Sequence, residues 1–264
     1  MVVDEYSSCW TRVTRSGLSV AGRRAANEDD HVFVDSGDPA RRARRGILAA
    51  VADGMSGLAG AATASAMAVR LVAETYAAGR DPDPASDLVR AIHVANAAIH
   101  ARALADPSLT GMGTTCTALL LLGDRAVYAH VGDSRIYLVR EGGIAQLTRD
   151  HSVLEALPDA PQVIAGNAPP ADLLTRALGV WSRVQAETAD GPIPVQAGDL
   201  FLLCTDGLTK ALGDAEILQV LLAYDPETAA KELVRLALER GATDNITVEV
   251  LRVEAVEPLR GGSR

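Results

Sequence analysis

Four aspartates stand at the ends of apolar runs. Asp53 follows Leu48-Ala49-Ala50-Val51-Ala52, and Asp133 follows Val127-Tyr128-Ala129-His130-Val131-Gly132. Asp206 follows Leu200-Phe201-Leu202-Leu203-Cys204-Thr205, and Asp244 precedes an apolar run in Thr243-Asp244-Asn245-Ile246-Thr247. A carboxylate at the rim of a buried sheet is partly desolvated, and several together repel one another. Lys210 and Arg135 are the nearby cations, too few to pair them all. Divalent ions would relieve the repulsion, and an all-oxygen ligand set favours Mg²⁺ or Mn²⁺ over zinc. Gly54, after Asp53, lets a backbone carbonyl turn toward the same ion. Any single Asp-Gly pair is an ordinary turn dipeptide. Four aspartates, each beside a buried strand, are harder to explain that way. Arg24-Ala25-Ala26-Asn27-Glu28-Asp29 adds a further acidic site beside a guanidinium able to grip two phosphate oxygens.

Other chemistries lack their geometry. Gly111-Met112-Gly113 precedes a strand-like run, not the helix that a dinucleotide loop requires. His93 and His100 lie on a helical stretch without the glutamate of a metalloprotease motif. No Gly-x-Ser-x-Gly elbow occurs, so a serine hydrolase has no support.

The elements that must position these residues follow from hydrophobic period. Ile47–Ala52 reads as a buried strand ending at a turn, and residues 59–78 and 86–105 are Ala-rich with helical spacing. Thr114–Leu122, Ala126–Val131, Ile136–Val139 and Ile144–Leu147 read as strands, the first two joined at Gly123-Asp124. Residues 152–172 carry four prolines and little period, as in an exposed segment. Strand-like runs return at 183–188 and 200–204, helical ones at 214–223 and 227–240, and a strand at Ile246–Val253. Residues 1–11 look like a loose leader, and the run Arg41, Arg42, Arg44, Arg45 like a solvated hairpin loop or strand edge. Strands in hairpins with helices in separate pairs predict an α+β fold: two packed antiparallel sheets flanked by helix pairs. No linker divides the chain, so one domain over 1–264 is expected, with its core at about 12–253.

Composition narrows the function. The 264 residues are 48% hydrophobic with a net charge of −9, which suits a globular chain and gives nucleic acid no basic surface. No apolar run approaches the roughly 20 residues of a membrane span, and no signal peptide is evident. Cys116 and Cys204 lie in strand-like runs without a Cys-x-x-Cys pair, which fits a reducing cytoplasm.

The chain resembles the metal-dependent protein phosphatases of the PPM, or type 2C, family in their compact bacterial form. The matching stretches, in family order, are RAANED (Arg24–Asp29), DGM (Asp53–Met55), GMGTT (Gly111–Thr115) and HVGDSRIY (His130–Tyr137). LTRDHS (Leu147–Ser152), LTRALG (Leu174–Gly179), TDGLT (Thr205–Thr209) and TDNIT (Thr243–Thr247) complete the series. The resemblance implies hydrolysis of phosphoserine and phosphothreonine in proteins, by attack of a water bridging two metal ions. It implies that Asp53 bridges both ions, that the Gly54 carbonyl binds the first, and that Asp206 and Asp244 hold the second. It further implies a third ion at Asp133 and Asp206, waters oriented by Asp29, and substrate phosphate gripped by Arg24. The phosphoproteins would be substrates of a cognate bacterial Ser/Thr kinase, and residues 152–172 would match the family's flap.

Three departures stand out. Ser56, Leu58 and Ala61 replace a glycine, a histidine and a glutamate usual after the DGM motif, the flap is richer in proline, and Lys210 stands where Asp or Asn is common. Two rival readings are a catalytically silent phosphoprotein-binding regulator and a phosphohydrolase of nucleotides or metabolites. The set Asp53, Asp206, Asp244 argues for an enzyme.

Overall fold

A computed structural model describes residues 8–55, 57, 59–79, 81, 83–156 and 173–259. Eleven strands among them form two antiparallel sheets. β1 (Cys9–Val20), β11 (Ile246–Pro258), β10 (Leu200–Cys204), β6 (Arg135–Arg140) and β7 (Gly143–Gln146) lie side by side in that order. The second sheet runs β2 (Asp29–Val34), β3 (Ile47–Asp53), β4 (Cys116–Leu122), β5 (Arg125–Val131) and β8 (Glu187–Thr188), with β9 (Ile193–Pro194) also paired to β5.

Period-two alternation builds the layers. In β3, Ile47, Ala49 and Val51 face the other sheet and, together with Leu119 and Leu121 of the neighbouring β4, meet Ile136, Phe201, Leu203 and Leu251 there. Leu48, Ala50 and Ala52 face outward onto α2 (Ala61–Ala78) and α3 (Pro84–Ala105). On the opposite side, Leu202, Val248 and Val250 pack under α6 (Asp214–Ala223) and α7 (Pro226–Glu239). Each fully buried Leu or Ile contributes roughly 1.5–3 kcal/mol, so the sandwich is a stiff platform for whatever its edge carries.

Three helices start on the same device. Asp38, Asp83 and Asp225 cap the first turns of α1 (Pro39–Arg45), α3 and α7, each followed by a proline whose fixed φ suits the first helical position. The Asp38 cap overturns the reading of the arginine run as a hairpin loop or strand edge, since Arg41–Arg45 are helical. Arg42 bonds Asp35 at 2.7 Å through Nε, and Arg45 bonds Asp87 at 2.9 Å, so half of that run holds the fold together.

The leader is corrected in the same way. Cys9–Thr11 begin β1, which pairs with β11 from Cys9↔Pro258 to Val20↔Ile246 with a bulge between Arg12 and Val13. Only Thr11 of β1 is buried, so this edge strand shows no apolar alternation. β2 also lacked a signal, because its first half is Asp-Asp-His. Of 183–188, only Glu187–Thr188 is strand. At the root of the proline-rich segment, His151 and Ser152 are buried and α4 (Val153–Ala156) follows, while residues 157–172 lie outside the described residues. Ser56 and Leu58 of the altered segment after Met55 lie outside them too.

Candidate metal centre

Asp53 and Asp29 are cross-strand partners at one end of the β2–β3 ladder. The Asp53 backbone is clamped: its N–H donates to Thr115 Oγ1 at 2.9 Å, and its carbonyl accepts from Thr114 Oγ1 and Thr115 N–H, each at 2.8 Å. The next residue must be glycine. A Cβ on Gly54 would lie 2.6 Å from the carbonyl oxygens of Glu28 and Ala61, too close for any side chain.

Asp206 opens the short helix α5 (Asp206–Thr209) directly after β10. Gly207 behind it is equally obligatory, since a Cβ there would sit 1.9 Å from the Asn245 carbonyl. That contact brings the Asp206 and Asp244 segments together. Asn245 does more: its Oδ1 accepts from Glu28 N–H and its Nδ2 donates to the Ala21 and Ala26 carbonyls, all at 2.9 Å. One buried amide therefore ties the 21–28 loop, which carries Arg24, to the strand that follows Asp244.

Asp29 is the most enclosed of the set, at 8% exposure. Its Oδ2 accepts from Thr205 Oγ1 at 2.8 Å and Thr247 Oγ1 at 2.7 Å. Asp133 lies in the turn after β5. There Gly132 exchanges hydrogen bonds with His151, its N–H to Nδ1 at 3.1 Å and its carbonyl from the His151 N–H at 2.7 Å. Thr115 Oγ1 also bonds Ser134 Oγ at 2.8 Å, so one threonine touches both the Asp53 and Asp133 segments.

The carboxylates act on one another. Burial first, then the charges of Asp29, Asp206, Asp133 and Asp244, hold the Asp53 carboxyl well above its usual range. Burial likewise lifts Asp29 to about 6, against the lowering effect of its two threonine bonds. Asp133 is lifted to about 7 by burial and then by Asp206, with Lys210 opposing. His130, on the strand leading to Asp133, adds no positive charge: burial drives its pKa down to about 3, and its two nitrogens bond Thr117 Oγ1 and the Arg149 carbonyl.

Two cations meet this cluster. Lys210 is paired with Asp206 Oδ2, one helical turn away. Arg24 Nη2 bonds Asp244 Oδ2 at 3.0 Å, and its Nε bonds the Thr243 carbonyl at 3.2 Å. Arg135, a candidate neighbour from sequence, turns away and grips Asp150 at 2.7 Å. A cleft of about 420 Å³ opens beside the cluster, lined by Arg24, Gly207, Lys210, Arg240, Thr243 and Asp244 among others.

The donor set fits a hard divalent ion. Five carboxylates face two cations, and the buried oxygens Asp29 Oδ1 and Asp206 Oδ1 have no hydrogen-bond partner among the described residues. Among the described residues no three acidic, histidine or cysteine side chains close into a ready cage. Two of the carboxylates here point at Lys210 and Arg24. Every site residue expected from sequence thus lies around one end of the two-sheet sandwich. Sequence does not single out Thr205, Thr247, Asn245, Thr114 and Thr115, though all sit inside the quoted motifs, because the aspartates and the loop they support lie in other segments.

Comparison with known proteins agrees with this geometry. Residues 17–241 match the family model described as Protein phosphatase 2C. The serine/threonine protein phosphatase PstP of Mycobacterium tuberculosis is 35% identical over 235 residues, covering 86% of this chain and 42% of that protein. The serine/threonine phosphatase stp of Listeria innocua is 34% identical over 241 residues, covering 88% of this chain and 95% of its own length. The solved catalytic domain of PstP in complex with two manganese ions superposes with a TM-score of 0.76 at 34% identity, over 92% of this chain and 98% of that domain. The chain therefore spans less than half the length of its mycobacterial relative and nearly all of the listerial one.

Proposed function

The chain belongs to the protein phosphatase 2C family, and on that premise we propose that it is a metal-dependent hydrolase of phosphoserine and phosphothreonine in proteins. One observation carries the reading. Five aspartates from separate segments of both sheets meet at one end of the sandwich, with two buried oxygens left for cations and a guanidinium at the rim.

In this reading Asp53, the Gly54 carbonyl, Asp206 and Asp244 would hold two core ions, either Mg²⁺ or Mn²⁺, and Asp133 with Asp206 would hold a third. The ions, when bound, supply Lewis acidity that makes water a nucleophile near neutral pH and offsets phosphoryl charge. The chain's own residues do the rest. Asp29 is held by Thr205 and Thr247, and its buried Oδ1 finds no donor among the described residues, which leaves that oxygen to orient a water held on a bound ion. Arg24 releases Asp244 and binds two phosphate oxygens in fork geometry, which orients the ester for in-line displacement. The clamps from Thr114, Thr115 and Asn245 keep the carboxylates in place, so little reorganisation accompanies the reaction.

We place the whole chain in one catalytic domain, with phosphoproteins made by a cognate Ser/Thr kinase as substrates. A cytoplasmic setting accords with the buried thiols Cys116 and Cys204. No helix among the described residues is long and apolar enough to cross a membrane. A substrate panel tests the reading. With Mn²⁺ present, the protein should turn over a phosphothreonine peptide and leave ATP and sugar phosphates largely untouched. Preference for the nucleotide would favour a metabolite phosphohydrolase, and no turnover of any ester would favour a silent binder.

A further inference from the structure

Lys210 is the cation that the carboxylate cluster carries within itself. Its N–H donates to the Asp206 carbonyl at 2.8 Å, so its backbone is fixed one turn beyond that aspartate. From there the side chain folds back onto Asp206 Oδ2. Its charge acts on Asp206 first, then Asp133, then Asp244. The ammonium thus occupies Asp206 Oδ2, an oxygen of the carboxylate that the reading above shares between the core and third ions. The other cation, Arg24, is on Asp244 in the same cleft. The Lys210 side chain is 49% exposed, so its flexible stem has room to swing into the adjoining cleft.

We propose that Lys210 is a tethered competitor for divalent ions between Asp133 and Asp206, so that an ion can enter there only by displacing the ammonium. The inference rests on the metal-binding reading above and adds a residue that sets how readily the centre fills. A monovalent charge held about 4 Å from a divalent one opposes it by more than a tenfold change in affinity, even in high dielectric. Displacement also removes the partner that keeps Asp206 satisfied when no ion is bound. The same lysine should therefore stabilise the metal-free protein and weaken its last metal-binding step.

Calorimetric titration of the full chain with Mn²⁺ tests this without recourse to activity. Lys210→Gln, an exposed change that should not disturb folding, is expected to tighten the weakest binding step at least about tenfold. It should leave the tighter steps changed by less and lower the melting temperature of the metal-free protein. Lys210→Arg, which keeps the charge, should titrate like wild type. Adding Asp133→Asn to Lys210→Gln should erase the gain. Unchanged binding steps in Lys210→Gln, with tight ion binding intact, would overturn the role of Lys210 alone. Absence of saturable Mn²⁺ binding in wild type and variants would overturn the metal reading beneath it.

Discussion

Asp53 stands where the apolar run of β3 meets the cluster, and four other carboxylates raise the cost of its charge. Without bound ions, only Lys210 on Asp206 and Arg24 on Asp244 offset that repulsion. Asp53→Asn should therefore melt at a higher temperature than wild type without metal, and should lose the stabilisation that added Mn²⁺ gives wild type. Calorimetric scans with and without Mn²⁺ check both halves; equal metal stabilisation in the variant would remove Asp53 from the centre. Arg24 is the substrate-facing counterpart. Arg24→Ala should lower kcat/KM on a phosphopeptide about ten- to a hundredfold, the size of one lost charge-assisted contact, with little change in stability. The same loss in Arg23→Ala, with Arg24→Ala unaffected, would show that the neighbouring arginine grips the phosphate.

The elements converge because short connections pin them together. Asn245 joins the 21–28 loop to the start of β11 with three hydrogen bonds, two of them to carbonyls. Asn245→Ala should cost about 2–3 kcal/mol in urea unfolding and should weaken metal binding, although the side chain itself holds no ion. A stability loss without any change in Mn²⁺ affinity would separate the loop from the centre. The central strands were legible in sequence because they are buried on both faces and read as continuous apolar runs. β1 and β2 were not, since edge strands here are half exposed and carry Arg, Thr, Ser and Asp where a core strand carries Val or Leu. The aspartates themselves were legible because they end those apolar runs. Thr205, Thr247 and Asn245 were not, because a hydroxyl or amide that supports a carboxylate from another segment leaves no local pattern. Only the fold shows that Thr205 and Thr247 reach the same oxygen of Asp29.

Across the whole molecule, the two sheets are joined by polar contacts as well as by their apolar faces. Glu249 of β11 is fully buried, and its Oε1 meets His31 Nδ1 of β2 at 2.6 Å, with Arg15 of β1 at 3.5 Å. The Glu249 bond raises the His31 pKa above its ordinary 6.5, against the opposing effect of burial. The folded state thus holds that proton more tightly than the unfolded chain does. The contribution is full below about pH 6.5 and fades as pH rises through the higher folded value. Wild type should therefore exceed His31→Gln in unfolding free energy by more at pH 5.5 than at pH 8.5. A margin independent of pH would mean that folding leaves the His31 pKa unshifted. On the proposed function, the sandwich holds one acidic end rigid, and that end should turn over phosphoester only when filled by divalent ions. The most direct measurement is the initial rate on a phosphothreonine peptide after metal stripping with EDTA and then during Mn²⁺ readdition, for wild type and Asp206→Asn. Wild type should be silent when stripped and recover in a saturable fashion with Mn²⁺, while Asp206→Asn stays near background throughout. Full turnover by the stripped wild type, or full recovery by Asp206→Asn, would contradict it.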